Sequence, residues 1–245
     1  MKKVDRKSPL PRYHQLKEIL RNLIENEQLK PGDLIPTERE LCEYHRISRM
    51  TATKAVTELV FEGLLFREQG KGTFVAKPKV KQNVSELIGC TEEMKRKGLK
   101  VETKILSFEI ITPTRKVIKQ LNLSLEDEKV FEISRLRIVD GDPYAVETAW
   151  IPEKLVKNFN RQELEGKSLY SILQEKYNIN LSYAKQSIEP IILTDYESNL
   201  LGVQKDMLAI LFERRTFSVD DIPIEFTKSI YRSDKYKYEI TLSKL

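Results

Sequence analysis

Residues 36–75 read PTERELCEYHRISRMTATKAVTELVFEGLLFREQGKGTFV, and few folds satisfy that order of caps, apolar stripes and glycines. Thr37 followed by Glu40 has the spacing of a capping box, which opens a helix running to about His45. Ser48 is placed to cap another helix, reaching about Glu62, where Gly63 can end it in the left-handed conformation. Short strands at 64–68 and 73–75 then flank Gln69-Gly70-Lys71-Gly72, a turn whose glycines allow close approach to another backbone. Upstream, Tyr13, Leu16, Ile19, Leu20, Leu23 and Ile24 recur at helical spacing over 11–25, and Pro31-Gly32 breaks the pattern. Three helices followed by a tight hairpin is the plan of a winged helix-turn-helix.

That plan assigns faces. Ala52, Ala55, Val56, Leu59 and Val60 form an apolar stripe, leaving Arg49, Thr53, Lys54 and Thr57 to face outward. A recognition helix reads base edges with residues near its N-terminus. Arg49, Thr51 and Lys54 are therefore the candidates, with Ser48 at the cap; Arg can donate twice to guanine. Arg39 can reach the backbone or a base edge, and Lys71, between Gly70 and Gly72, can enter a minor groove or clamp a phosphate. The charge supports this division. Residues 1–83 hold 17 Lys and Arg against 11 Asp and Glu, whereas the remainder holds 25 against 26. A basic head on a near-neutral body places the phosphate contacts in the head.

Residues 77–83 are polar, contain Pro78 and lack periodicity, which predicts a linker between a DNA-binding domain at 1–76 and a second domain at 84–245. Beyond it the pattern predicts strands at 100–111, 130–139, 143–150, 184–193, 208–219, 223–231 and 236–242. Helices are expected at 91–97, 113–121, 169–177 and 195–201. Acidic turns at Asp140-Gly141-Asp142 and Asp220-Asp221 make hairpins, hence an antiparallel sheet and an α+β fold. A weak repeat relates EISRLRIVDGDPYAVE to FERRTFSVDDIPIEF, and their overlay sets Arg135 on Arg215.

Several residues of the body suit an anion. Arg135 and Arg137 lie two apart on one strand and project to one face, where paired guanidiniums can take phosphate or carboxylate. Cys90 and Thr91 begin a helix whose free N–H groups favour negative charge. Ser168 and Tyr170 offer hydroxyls at the start of another. Glu147 and Glu225 can accept bonds from hydroxyls or an amine, and Tyr231 can close a pocket. A three-residue loop at Asp140-Gly141-Asp142 would set Val139 opposite Pro143 and Arg135 opposite Glu147, whereas a two-residue loop at Gly141-Asp142 would turn Glu147 away. The first arrangement is expected.

The chain resembles a known family. P-L-P-R-Y-H-Q-L, P-G-D-L-I-P-T-E-R-E-L, I-S-R-M-T and E-G-L-L-F-R-E-Q-G-K-G-T-F-V look like the N-terminal domain of GntR-type bacterial regulators. C-T-E-E-M-K-R-K-G, S-R-L-R-I-V-D-G-D-P, V-E-T-A-W-I-P, S-L-Y-S-I-L and F-T-K-S-I-Y-R-S-D-K-Y resemble its HutC branch, which carries a UTRA effector domain. The resemblance implies a chorismate-lyase-like antiparallel sheet with flanking helices for the body. It implies operator contacts by Arg39, Arg49 and the Gly70-Lys71-Gly72 wing. It further implies an amino-sugar phosphate held at positions matching Cys90, Thr91, Arg135, Arg137, Glu147, Ser168, Tyr170, Glu225 and Tyr231. The family commonly has an aromatic where this chain has Cys90.

The expected protein is a homodimer binding a pseudo-palindromic DNA operator and a small anionic effector such as a sugar phosphate, without cofactor, metal or membrane. The competing readings are a catalytic body and a body that only dimerises. Both histidines, His14 and His45, fall in the head, which leaves the body without one for acid–base work. Cys42 and Cys90 form neither a metal motif nor a disulfide framework, and the charged N-terminus has no apolar segment, so a reducing cytoplasm is expected.

Overall fold

The computed structural model describes residues 2–83, 86–124 and 128–239, and contacts divide it into two units. The first holds 1–81 together with 233–237, the second 82–232 and 238–245.

In the first unit, helix α1 (Arg12–Glu25) starts behind Pro11, and α2 (Glu38–His45) opens on the Thr37–Glu40 capping box. Helix α3 (Arg49–Phe61) is capped by Ser48, whose hydroxyl accepts the Thr51 N–H at 3.3 Å. Gly63 follows at φ 74°, the left-handed turn expected there. Leu16, Leu20, Leu41, Ala52, Ala55, Val56 and Leu59 are wholly buried at the centre of the helices. Strands β1 (Leu65–Glu68) and β2 (Gly72–Val75) form the wing, with Leu65 opposite Val75 and Glu68 opposite Gly72. Leu65 and Val75 close the core from below, so burial fixes where the hairpin leaves the helices.

The segment expected to be an irregular linker is partly ordered as a strand. β3 (Val80–Asn83) pairs with β10 (Tyr236–Glu239), and the Val80 N–H donates to the Lys235 carbonyl at 2.9 Å. Tyr236 therefore does not extend the main sheet; the rest of that predicted strand, 240–242, lies outside the described residues.

The second unit is built on one six-stranded antiparallel sheet in the order β4-β5-β6-β9-β8-β7. Its strands are β4 (Val101–Ile111), β5 (Val130–Val139), β6 (Asp142–Pro152), β7 (Leu181–Ile192), β8 (Leu208–Ser218) and β9 (Pro223–Arg232). Period-two alternation gives the sheet two different faces. On one, Leu136, Val146, Ala209 and Ile230 pack with Leu201 of α7 (Asp195–Leu201), and Val130 and Phe226 pack with Val117 and Leu121 of α5 (Arg115–Leu121). On the other, Phe131, Ile133, Ala149 and Ile151 pack with Leu169, Ile172 and Leu173 of α6 (Leu169–Glu175). The α+β class with flanking helices follows directly.

The β5–β6 turn departs from expectation. Only Asp140 and Gly141 form the loop, both at positive φ (51° and 86°), and Val139 faces Asp142 rather than Pro143. Such a register carried inward would have turned Glu147 away. A bulge beside Arg137 absorbs one extra residue, Tyr144, and beyond it Arg137 faces Ala145 and Arg135 faces Glu147. The expected pairing is present, reached through a two-residue loop plus a bulge instead of a three-residue loop.

Candidate functional site

In the first unit the first turn of α3 and the wing present the residues singled out for DNA. Arg39 is open to solvent, with its guanidinium 3.7 Å from Glu43. Arg49 and Lys54 are exposed, and the Lys54 ammonium sits 3.9 Å above the Tyr13 ring. One groove is lined by Arg39, Arg49, Lys71, Gly72 and Thr73, so the recognition helix and wing tip border the same depression. At the tip, Lys71 pairs with Glu68 at 2.6 Å, and Gly70 and Gly72 take φ 77° and 130°. A side chain at 72 would also lie 2.6 Å from Leu34, so glycine there has a packing reason as well as a conformational one.

Two residues expected to face outward are half-buried, and their hydroxyls are engaged. The Thr53 hydroxyl donates to Glu38 at 2.6 Å, and Arg67 reaches both Glu38 (3.1 Å) and Thr57 (2.9 Å). Thr53 and Thr57 thus tie α3 to α2 and the wing. Thr51 and Ser48 share a hydroxyl–hydroxyl bond of 2.8 Å, which commits both partly to the cap.

In the second unit, every residue expected at an effector site lines one cavity: Cys90, Thr91, Arg135, Arg137, Glu147, Ser168, Tyr170, Glu225 and Tyr231. The floor is one face of the sheet, and the rim is the first turn of α4 (Cys90–Arg96) and of α6. Neither Gly89 nor Ser168, the residues before these helices, makes a side-chain cap. A Cβ on Gly89 would come within 3.1 Å of the Ser168 hydroxyl, so the absence of a side chain lets the two helix starts approach.

The floor is charged. Arg135, Arg137 and Glu147 are all buried, at 3%, 5% and 8% exposure. One Glu147 oxygen accepts from Arg135 and, at 2.9 Å, from Arg137; the other accepts from Ser229 at 3.4 Å. Arg137 also donates to Thr103 at 2.8 Å. Burial alone would raise the Glu147 carboxyl, but the Arg135 and Arg137 charges outweigh it and hold it at about 2. Glu147 is therefore a bridge between two guanidiniums, not the open acceptor its position suggested.

Glu225 differs. It is 1% exposed and accepts from the Thr216 hydroxyl at 3.4 Å, while Thr216 also bonds Tyr170 at 3.0 Å. Burial, with the Glu147 charge adding to it, pushes its carboxyl up to about 7. Burial likewise raises the Cys90 thiol to about 11, a direction opposite to that of an activated nucleophile.

Sequence reasoning missed a third cation. Arg214 on β8 lines the cavity and donates to Gln186 of β7 at 2.7 Å, whereas Arg215 packs 4.9 Å from the Phe217 ring and reaches the Gln120 carbonyl of α5. The two hairpins share a bulge after their prolines, but five residues separate Phe217 from Pro223 and four separate Ile138 from Pro143. Arg135 therefore corresponds to Arg214, not Arg215. Gln186, Phe212, Thr227 and Ser229 were also missed, although Thr227 and Ser229 lie at period two between Glu225 and Tyr231. Three guanidiniums face two carboxylates, one of them bridged and the other holding its proton up to about pH 7. The cavity carries an excess of positive charge.

Comparison with known proteins agrees with both units. Residues 12–75 match the model for "Bacterial regulatory proteins, gntR family", and residues 96–237 match the UTRA domain. The chain is 35% identical over 235 residues to the HTH-type transcriptional repressor NagR of Bacillus subtilis, covering 96% of each chain. It is 28% identical to the mannosyl-D-glycerate transport/metabolism system repressor MngR of Escherichia coli, over 94% of this chain and 95% of that one. Among solved structures, PhnF from Mycobacterium smegmatis aligns with a TM-score of 0.65 at 23% identity, covering 94% of this chain and 98% of that one. With both family models in the order the fold displays, the chain belongs to the GntR family of bacterial transcriptional regulators, as a NagR-like member of the HutC branch with a UTRA domain behind its winged helix-turn-helix.

Proposed function

We propose that the protein is a homodimeric repressor of genes for sugar or amino-sugar utilisation, released from its operator by a sugar phosphate such as an amino-sugar 6-phosphate. The observation that carries this reading is the charge of the cavity: Arg135, Arg137 and Arg214 against Glu147 and Glu225. A phosphate suits that excess, since guanidiniums give it planar, charge-assisted donors. Hydroxyls of Ser168, Tyr170, Ser229 and Thr227 line the same space and suit a polyhydroxylated ring. Relatives named for mannosyl-D-glycerate and fructoselysine systems support a carbohydrate; one named for histidine utilisation marks the breadth of the family.

In this reading Arg39, Arg49, Lys54 and the Gly70-Lys71-Gly72 wing hold the operator, and two copies meet its two half-sites. Release requires that the effector bind one conformation better than the other, a coupling of about 1–3 kcal/mol. The test is operator binding at fixed salt with and without glucosamine 6-phosphate and N-acetylglucosamine 6-phosphate, since phosphate contacts make affinity depend on ionic strength. A five- to hundredfold loss of affinity, on the order set by that coupling, is expected. An unchanged affinity, together with no anion bound in calorimetry, would favour a constitutive DNA-binding dimer.

A further inference from the structure

Met50 is the second residue of α3, and its side chain is 84% exposed. Single exposed apolar residues are ordinary, so its position matters more than its exposure. At the start of the recognition helix the two threonines are already engaged. Thr51 shares its hydroxyl with Ser48 at 2.8 Å, and Thr53 donates to Glu38 at 2.6 Å. Arg49 and Met50 project from this turn as exposed side chains. Met50 also heads a groove on the outer side of α3, shared with Thr53, Thr57 and Phe61.

In the major groove the only apolar mark that distinguishes one base from another is the C5-methyl of thymine. An unbranched thioether with three rotatable bonds can follow that methyl without a fixed register. We infer that Met50 is a specificity-determining residue, packing on a thymine methyl beside the base read by Arg49. The inference rests on the DNA-binding reading of α3 and adds to it a preference for thymine.

The test begins with the full-length chain and a pool of randomised duplexes. Sequences enriched by the wild type are compared with those enriched by Met50→Ala and Met50→Leu. Thymines of the wild-type consensus are then replaced one at a time by deoxyuridine, which deletes only the methyl. For the wild type, one replacement in each half-site should lower affinity about fourfold, the effect of one buried methyl-sized group. Met50→Ala should be indifferent to that replacement and should lose the thymine preference, whereas Met50→Leu should keep both. Because the side chain is exposed, neither substitution threatens the fold. Identical consensus and identical deoxyuridine response in wild type and Met50→Ala would overturn the assignment while leaving DNA recognition intact. A wild type that enriches no sequence would overturn the DNA reading, and the role of Met50 with it.

Discussion

Arg135 lies directly opposite Glu147 in the β5–β6 ladder, and Arg137, two residues on, donates to the same carboxylate oxygen. A single buried acid thus compensates two buried cations. Removing it, as in Glu147→Ala, leaves both guanidiniums without their counter-charge and should destabilise the second unit by about 3–5 kcal/mol. Denaturant unfolding measures the loss. Added sulfate should recover more stability in the variant than in the wild type; equal recovery would mean that the guanidiniums do not face a bindable anion. The depressed carboxyl of Glu147 also fixes a sign. Its contribution is fully present above the ordinary carboxylate value of 4.5 and is lost as pH falls towards about 2.

If the cavity takes the proposed effector, Arg214→Ala should weaken binding of N-acetylglucosamine 6-phosphate about 10- to 100-fold, the range for a hydrogen bond to a charged group. Arg215→Ala, one residue away on the other face of β8, should leave it within about twofold, since that side chain packs on Phe217 and reaches the Gln120 carbonyl of α5 instead of the cavity. Calorimetric titration of both variants decides the matter. Equal losses would mean that the facing of β8 is not what separates them.

That pair also marks how much could be read from the chain alone. The winged domain was legible because its signals are local: the Thr37–Glu40 box, the Ser48 cap and the left-handed Gly63 each specify a boundary without tertiary help. Arg135 and Arg137 were legible as well, because alternation along a strand sets them on one face, whereas Glu225 and Tyr231 were singled out by their chemistry and by the family resemblance. Arg214 was not, since an overlay of two hairpins is only as good as their loop lengths, and one residue slips every side chain to the opposite face. Neither the Tyr144 bulge nor the engagement of Thr53 by Glu38 has a local sequence signal. Both depend on what lies across the strand or the neighbouring helix.

Glu225 predicts a pH dependence of opposite sign to Glu147. Between 4.5 and about 7 the folded state holds a proton on Glu225 that the unfolded chain has released. Stability therefore falls as pH rises through that window and levels off above it. Once ionised, Glu225 adds negative charge to the cavity, so affinity for inorganic sulfate, which does not titrate here, should fall from pH 6 to pH 8. Glu225→Gln should flatten this part of both profiles. A wild-type sulfate affinity that stays level over that range would show that Glu225 does not ionise beside the anion.

Gly63→Ala tests the end of the recognition helix. The residue has φ 74°, and an added Cβ would sit 2.6 Å from the Asp234 carbonyl within the same unit. Strain and overlap together should cost about 1–3 kcal/mol, read as a lower thermal midpoint. Gly98→Ala is the control, with φ 72° but open space around the Cβ; it isolates the conformational part. Equal losses in the two variants would remove the contact with Asp234 from the account.

Arg49 tests what kind of contact the helix makes. It is the first residue of α3, solvent-exposed, and borders the same groove as Arg39 and the wing. A guanidinium in that place can pair in a fork with guanine O6 and N7 or meet a backbone phosphate, and the two differ in their consequences. If it reads a base, Arg49→Ala should cost about 1–3 kcal/mol on the selected duplex and relax selectivity at one position, with random DNA bound almost as before. If it meets only phosphate, selected and random duplexes should weaken alike, and the salt dependence of binding should become shallower by about one counterion. The first outcome is expected, because Arg39 and Lys71 already border the groove as candidates for phosphate. Affinity measured on both duplexes at two salt concentrations separates the cases.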